Sequence, residues 1–139
     1  MEKFKDLIEL YYKGKKYTQD NVSDKRILVH KEGCNLIIPK DNKEEHGIYL
    51  EESINGHDCY SYNTISKHIY HVIEGEGEFV VDNKIIPVKK GRTIVIEPNQ
   101  IFYYKGKMLL FLEMLPDFKE ENNYIVEHVF YESCKRKGK

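Results

Sequence analysis

Two histidines three residues apart, His68 and His71, are the first side chains in this sequence that could do chemistry. Imidazole ordinarily titrates near neutrality and also ligates many transition metals, so proton transfer and metal binding both come into view. Spacing argues against a shared ion, because residues i and i+3 on a strand point to opposite faces and cannot both reach one metal. Glu74 and Glu76, either side of Gly75, have the look of a paired acid and base. Three cysteines, Cys34, Cys59 and Cys134, are odd in number, widely spaced and without a Cys-x-x-Cys pair. That pattern suits neither a disulfide framework nor a thiolate zinc site, and buried or idle thiols are expected.

The elements that must position these residues are mostly strands. Short β-branched or aromatic runs recur at Ile27–Val29, Leu36–Ile38, Ile48–Leu50, Tyr60–Ile65, Ile69–Ile73, Phe79–Val81, Ile85–Val88, Thr93–Ile96, Ile101–Tyr104, Met108–Met114 and Tyr124–Tyr131. Dense short strands predict a sandwich or barrel rather than alternating βαβ units. Gly33, Gly56, Gly75, Gly77, Asp82 with Asn83, Gly91 and Gly106 fall between these runs, and each is expected to make a turn. Phe4, Leu7, Ile8 and Tyr11 fall at i, i+3, i+4 and i+7, which predicts a short amphipathic helix ending near Gly14 and packing on a sheet.

The chain of 139 residues is one domain long, with 40% apolar and 32% charged residues and a formal net charge of -1. Its organisation reads as an N-terminal helix and linker over 1–23, a barrel over 24–131 and a basic tail over 132–139. The balanced charge gives no reason to expect a nucleic-acid or membrane-binding face. The start lacks the apolar core of a signal peptide and no apolar run approaches bilayer-spanning length, so a cytoplasmic protein is expected.

The stretch from His68 to Lys84, with His68-Ile-Tyr-His-Val-Ile-Glu-Gly-Glu-Gly-Glu, and its continuation from Ile85 through Gly91 to Asn99 resemble the heart of small single-domain cupins. The resemblance covers about forty residues and implies an all-β double-stranded β-helix, the cupin or jelly-roll barrel, here with a short N-terminal helix. Cupins usually bind a transition metal through His-x-His, a short spacer and Glu, then Pro-x-Gly-x-x-His. Aligning Val72-Ile73-Glu74-Gly75 with the family's Val-Leu-Glu-Gly puts His68 at the ligand glutamate, and the paired histidines fall on Tyr62 and Thr64, or on Ser61 and Asn63. Aligning Glu97-Pro98-Asn99 with Pro-x-Gly puts Phe102 at the last histidine. The resemblance thus implies a degenerate metal motif and no metal cofactor. Glu74 and Glu76 become solvated turn residues, as cupins often carry the same Glu-Gly-Glu without catalytic use. Glu97 reads as a turn carboxylate, or else as a partner of His68 or of a ligand amine.

With His68 facing inward, the two-residue period would bring Tyr62, Thr64, Ser66, Tyr70 and Val72 to the same side if one strand runs from Tyr60, while Phe102 and Tyr104 share a face later on. This lining suits a sugar-like ring, with His68 as the catalytic group and Tyr62, Thr64, Tyr70, Phe102 and Tyr104 as ligand-binding residues. Plain aromatic filling of a barrel core is the other reading of the same residues. Three functions stay open: a metal-independent sugar isomerase or epimerase-like protein, a non-catalytic ligand-binding or structural cupin, and a metal enzyme in which His68 joins His46 or His57. A homodimer is expected from the family's habit of pairing sheets.

Overall fold

The computed structural model describes residues 26–30, 33–39, 42–57 and 59–128. The expected N-terminal helix, the linker, the basic tail and Cys134 lie outside the described residues, and so does the end of the last expected strand.

Among the described residues nine strands form one curled antiparallel sheet: β1 (Arg26–His30), β2 (Cys34–Pro39), β3 (Gly47–Ser53), β4 (Cys59–Asn63), β5 (Lys67–Val81), β6 (Lys84–Lys89), β7 (Thr93–Ile96), β8 (Phe102–Leu115) and β9 (Asn123–His128). A three-residue 3₁₀ turn at Glu120–Asn122 precedes β9. Among the described residues no helix is long and apolar enough to cross a membrane.

Two long strands organise the whole. β5 and β8 pair along their length, from Lys67↔Leu115 to Val81↔Phe102. Each changes its other neighbour midway. β5 is flanked by β7 at His68–His71 and by β6 at Glu76–Val81, while β8 is flanked by β3 at Met108–Met114 and by β4 at Phe102. One end of the pair therefore belongs to a β1-β2-β3 layer closed by β7, the other to a layer of β4, β6 and β9. Strands that pass between layers close a barrel without exposing new edges.

The glycines expected to make turns at 75, 77 and 106 instead sit inside these strands, at the place where the neighbours change. The register shifts between Val72 and Glu74, and Gly77 stands directly opposite Gly106. Gly106 has φ +117°, and a Cβ there would lie 2.7 Å from the Gly77 Cα. Two backbones meet here closely enough that only glycine fits, so the pair marks a tight approach of two paired strands rather than a hairpin. The hairpin expectation holds at Asp82 and Asn83, both at positive φ between β5 and β6.

Burial alternates along the strands. Tyr70, Val72, Phe79, Ile94, Ile96, Phe102, Tyr104, Leu110, Leu112 and Met114 form the interior cluster. On the opposite face Ile37, Ile48, Leu50, Leu109 and Phe111 are also buried.

Candidate functional site

Inward-facing residues at the β1-β2-β3 end enclose a half-open cavity of about 240 Å³. One wall is apolar: Leu36 and Ile38 from β2, with Leu112 and Met114 from β8. The other carries the polar groups, with Glu51 from β3, His57, Cys59 and Ser61 from β4 and the loop before it, and His68 and Tyr70 from β5.

His68 is 7% exposed. Its ring lies 5.1 Å from that of Phe102 and stacks at 6.1 Å on Tyr70. His57 stacks on the same Phe102 ring at 5.4 Å, so both imidazoles pack against one phenyl group. The His57 Nδ1 lies 2.6 Å from the Cys59 carbonyl oxygen, which can only accept, so Nδ1 carries a proton and donates it there. Burial, and then the charge of His57, lower the pKa of His68 from 6.5 to about 4. At neutral pH it is an uncharged imidazole, a proton acceptor held dry.

Glu51, 4% exposed, accepts a hydrogen bond of 2.5 Å from the Tyr104 hydroxyl. Burial and then the Glu51 charge push the phenols of Tyr104 and Tyr70 well above their ordinary value. Both therefore remain protonated donors. The Tyr49 hydroxyl donates to the Asp117 carboxylate, and burial, then Asp117, raise its pKa also.

His68, Tyr70 and Phe102 thus lie on the cavity wall, and Tyr104 lies fully buried, joined to the cavity through Glu51. Tyr62 and Thr64 lie outside the cavity. Tyr62 stacks on Tyr124 at 5.3 Å, and the Thr64 hydroxyl donates to the Asn122 carbonyl at 3.4 Å. The expected continuous strand from Tyr60 is interrupted: Asn63 Oδ1 accepts from the backbone N–H groups of Ile65 and Ser66 at 2.9 and 2.7 Å, making a corner. An Asx turn shifts the parity, so Cys59, Ser61 and Asn63 face inward before it and Ser66, His68 and Tyr70 after it.

Sequence reasoning missed Glu51, Tyr49, Cys59 and Ser61, and weighed His57 only as a metal ligand. Glu74 and Glu97 are held by lysines away from the cavity, Glu74 by Lys90 at 2.9 Å and Glu97 by Lys67 at 3.8 Å. Cys34 and Cys59 are buried thiols.

Among the described residues no three His, Cys, Asp or Glu side chains are grouped to hold an ion. His57 and His68 both pack against the phenyl ring of Phe102, which offers no lone pair. The donor set does not fit a three-ligand centre.

No family model matches the sequence, and no curated protein matches it. Solved structures do match. Streptomyces PAC13, described as a unique nucleoside dehydratase, is similar with a TM-score of 0.74 at 22% identity, covering 84% of this chain and 95% of that one. A histidine-to-glutamine variant of PAC13 with uridine matches with a TM-score of 0.75 at 21% identity, covering 86% of this chain and 98% of that one. KdgF from Halomonas sp. (TM-score 0.61, 10% identity, 72% and 94% covered) and an RmlC-like cupin from Shewanella frigidimarina (0.58, 14%, 73% and 92%) share the barrel. The chain is a small cupin-fold domain.

Proposed function

We propose that this cupin-fold barrel receives the ring of a small polar molecule, of the sugar or nucleoside class, and that His68 accepts a proton from it without a metal ion. The observation that carries the reading is a buried, neutral imidazole on the wall of a cavity with one apolar and one polar side. The apolar wall and Phe102 suit the face of a ring, while Glu51, His57 and Ser61 suit its hydroxyl and amide groups. The phenols cannot serve as bases, since burial keeps them protonated, and among the cavity's other acceptors, Glu51, His57 and His68, we assign proton abstraction to His68, a neutral imidazole on the wall. An isomerisation, epimerisation or elimination would begin with that step. PAC13, the nucleoside dehydratase, offers a starting set of compounds.

The test is a screen of sugars and nucleosides for binding, followed by turnover assays with wild type and His68→Ala. Product formation that depends on His68 supports the reading, and binding with unchanged turnover in His68→Ala removes His68 from the chemistry. Stoichiometric transition metal in protein purified without chelator would overturn the metal-free part.

A second reading, passive ligand binding, is favoured by the His68 pKa itself. An imidazole of pKa about 4 is a weak base at neutral pH. A homodimer is part of either reading. Exposed Ile85, Val95 and Ile101, and Tyr124 and Val126 on β9, are apolar surface that a second copy would cover. A monomeric mass in solution would count against it.

A further inference from the structure

The cavity is furnished for hydrogen bonding and stacking, but not for an anion. Among the described residues that line it, none is Lys or Arg and Glu51 is the sole carboxylate. Its basic groups are the imidazoles of His57 and His68, and burial holds that of His68 uncharged near neutral pH. Recognition of phosphate in proteins draws on Arg or Lys, or on the amide groups at a helix N-terminus. The helical piece found among the described residues is the exposed 3₁₀ turn at Glu120–Asn122, too short for that role. Lys119, next to the cavity residue Phe118, has its ammonium 3.0 Å from Glu44.

From this furnishing we infer that the site selects an uncharged ring compound, a nucleoside or free sugar, and rejects the phosphorylated form of the same compound. The inference rests on the reading of the cavity as a ring-binding site and adds the charge class of its ligand. A phosphate brought to this wall would lose water without gaining a cation and would stand near the buried carboxylate of Glu51. A ring hydroxyl or amide meets acceptors at Glu51 and His57 and a hydroxyl at Ser61.

The experiment titrates the full chain at neutral pH with uridine against uridine monophosphate, and with glucose against glucose phosphate, by calorimetry or NMR. In at least one pair the neutral compound is expected to bind at least about tenfold tighter than its phosphate. The same pair is then measured with Ile125→Arg. Ile125 lines the cavity and is 43% exposed, so this variant adds a cation at the rim without entering the core. Its expected effect is to narrow or reverse the preference. Equal or tighter binding of the phosphates by wild type overturns the inference and leaves the ring-binding reading standing. Failure of all four compounds to bind overturns the ring-binding reading itself.

Discussion

The two faces of β5 put the same side chain to opposite uses. His68 points inward, packed against Phe102 and Tyr70 and drawn into the neutral state by burial. His71, three residues on, points outward: its Nε2 meets Glu113 at 2.8 Å, its Nδ1 lies 3.1 Å from the Thr93 hydroxyl, and its ring stacks on Phe111. Glu113 also meets His46 at 3.2 Å, so on this face a carboxylate sits between two half-exposed imidazoles. The inner histidine is surrounded by rings, the outer one by hydrogen-bonding partners. Environment rather than residue type sets the state of each: the inner ring is held neutral by burial, and the outer one serves a surface polar network.

The sharpest way to break this comparison is to remove each imidazole in turn. His68→Ala is expected to lower turnover of a substrate found in the screen by about 10²- to 10⁴-fold, and His71→Ala to leave it within about twofold, as steady-state kinetics would show. Equal losses would erase the functional difference between the faces.

Stability against pH gives the next largest effect. The folded pKa of His68, about 4, lies below the ordinary 6.5, so between these values the unfolded chain binds more protons and stability rises with pH. On going from pH 7 to pH 5, urea unfolding of wild type is expected to show a loss of about 2 kcal/mol from this group, which His68→Gln lacks. A pH dependence unchanged by that substitution would place the imidazole in a wetter site than the structure does.

The buried pair behind the cavity comes third. Tyr104→Phe takes from Glu51 the phenol that bonds it at 2.5 Å and is expected to cost about 1–3 kcal/mol in urea unfolding. The outer network comes last. Glu113→Gln is expected to cost less than about 1 kcal/mol, and its coupling to His71→Ala in a double-mutant cycle should shrink in high salt. A salt-independent cost as large as that of Tyr104→Phe would mean that the two faces are alike in strength.

Much of the fold was legible because its signals are local. The eleven β-branched or aromatic runs fall on the nine strands of the described residues, two pairs of runs being joined into the single strands β5 and β8; Asp82-Asn83 located a hairpin, and the opposed faces of His68 and His71 followed from the two-residue period. The site was legible in part. The inward direction of His68, Tyr70 and Phe102, which line the cavity, could be read because they lie within uninterrupted strands. Tyr62 and Thr64 were misplaced because one Asx turn at Asn63 changes the parity of everything before it. Glu51 and His57 were not seen as cavity partners, because they come from β3 and the loop before β4, and only pairing in space brings them to His68.

By itself, then, the sequence determined an all-β barrel, its strand rhythm and the side on which His68 stands relative to His71. Alternation and turn chemistry act over a few residues and need no knowledge of distant contacts. Tertiary structure alone decided that Gly77 and Gly106 face each other inside two paired strands and do not make turns, since a close backbone approach involves a strand distant in sequence. It also decided the charge of the cavity. Desolvation, and then the charge of His57, set the state of His68, and both depend on which strands close around it.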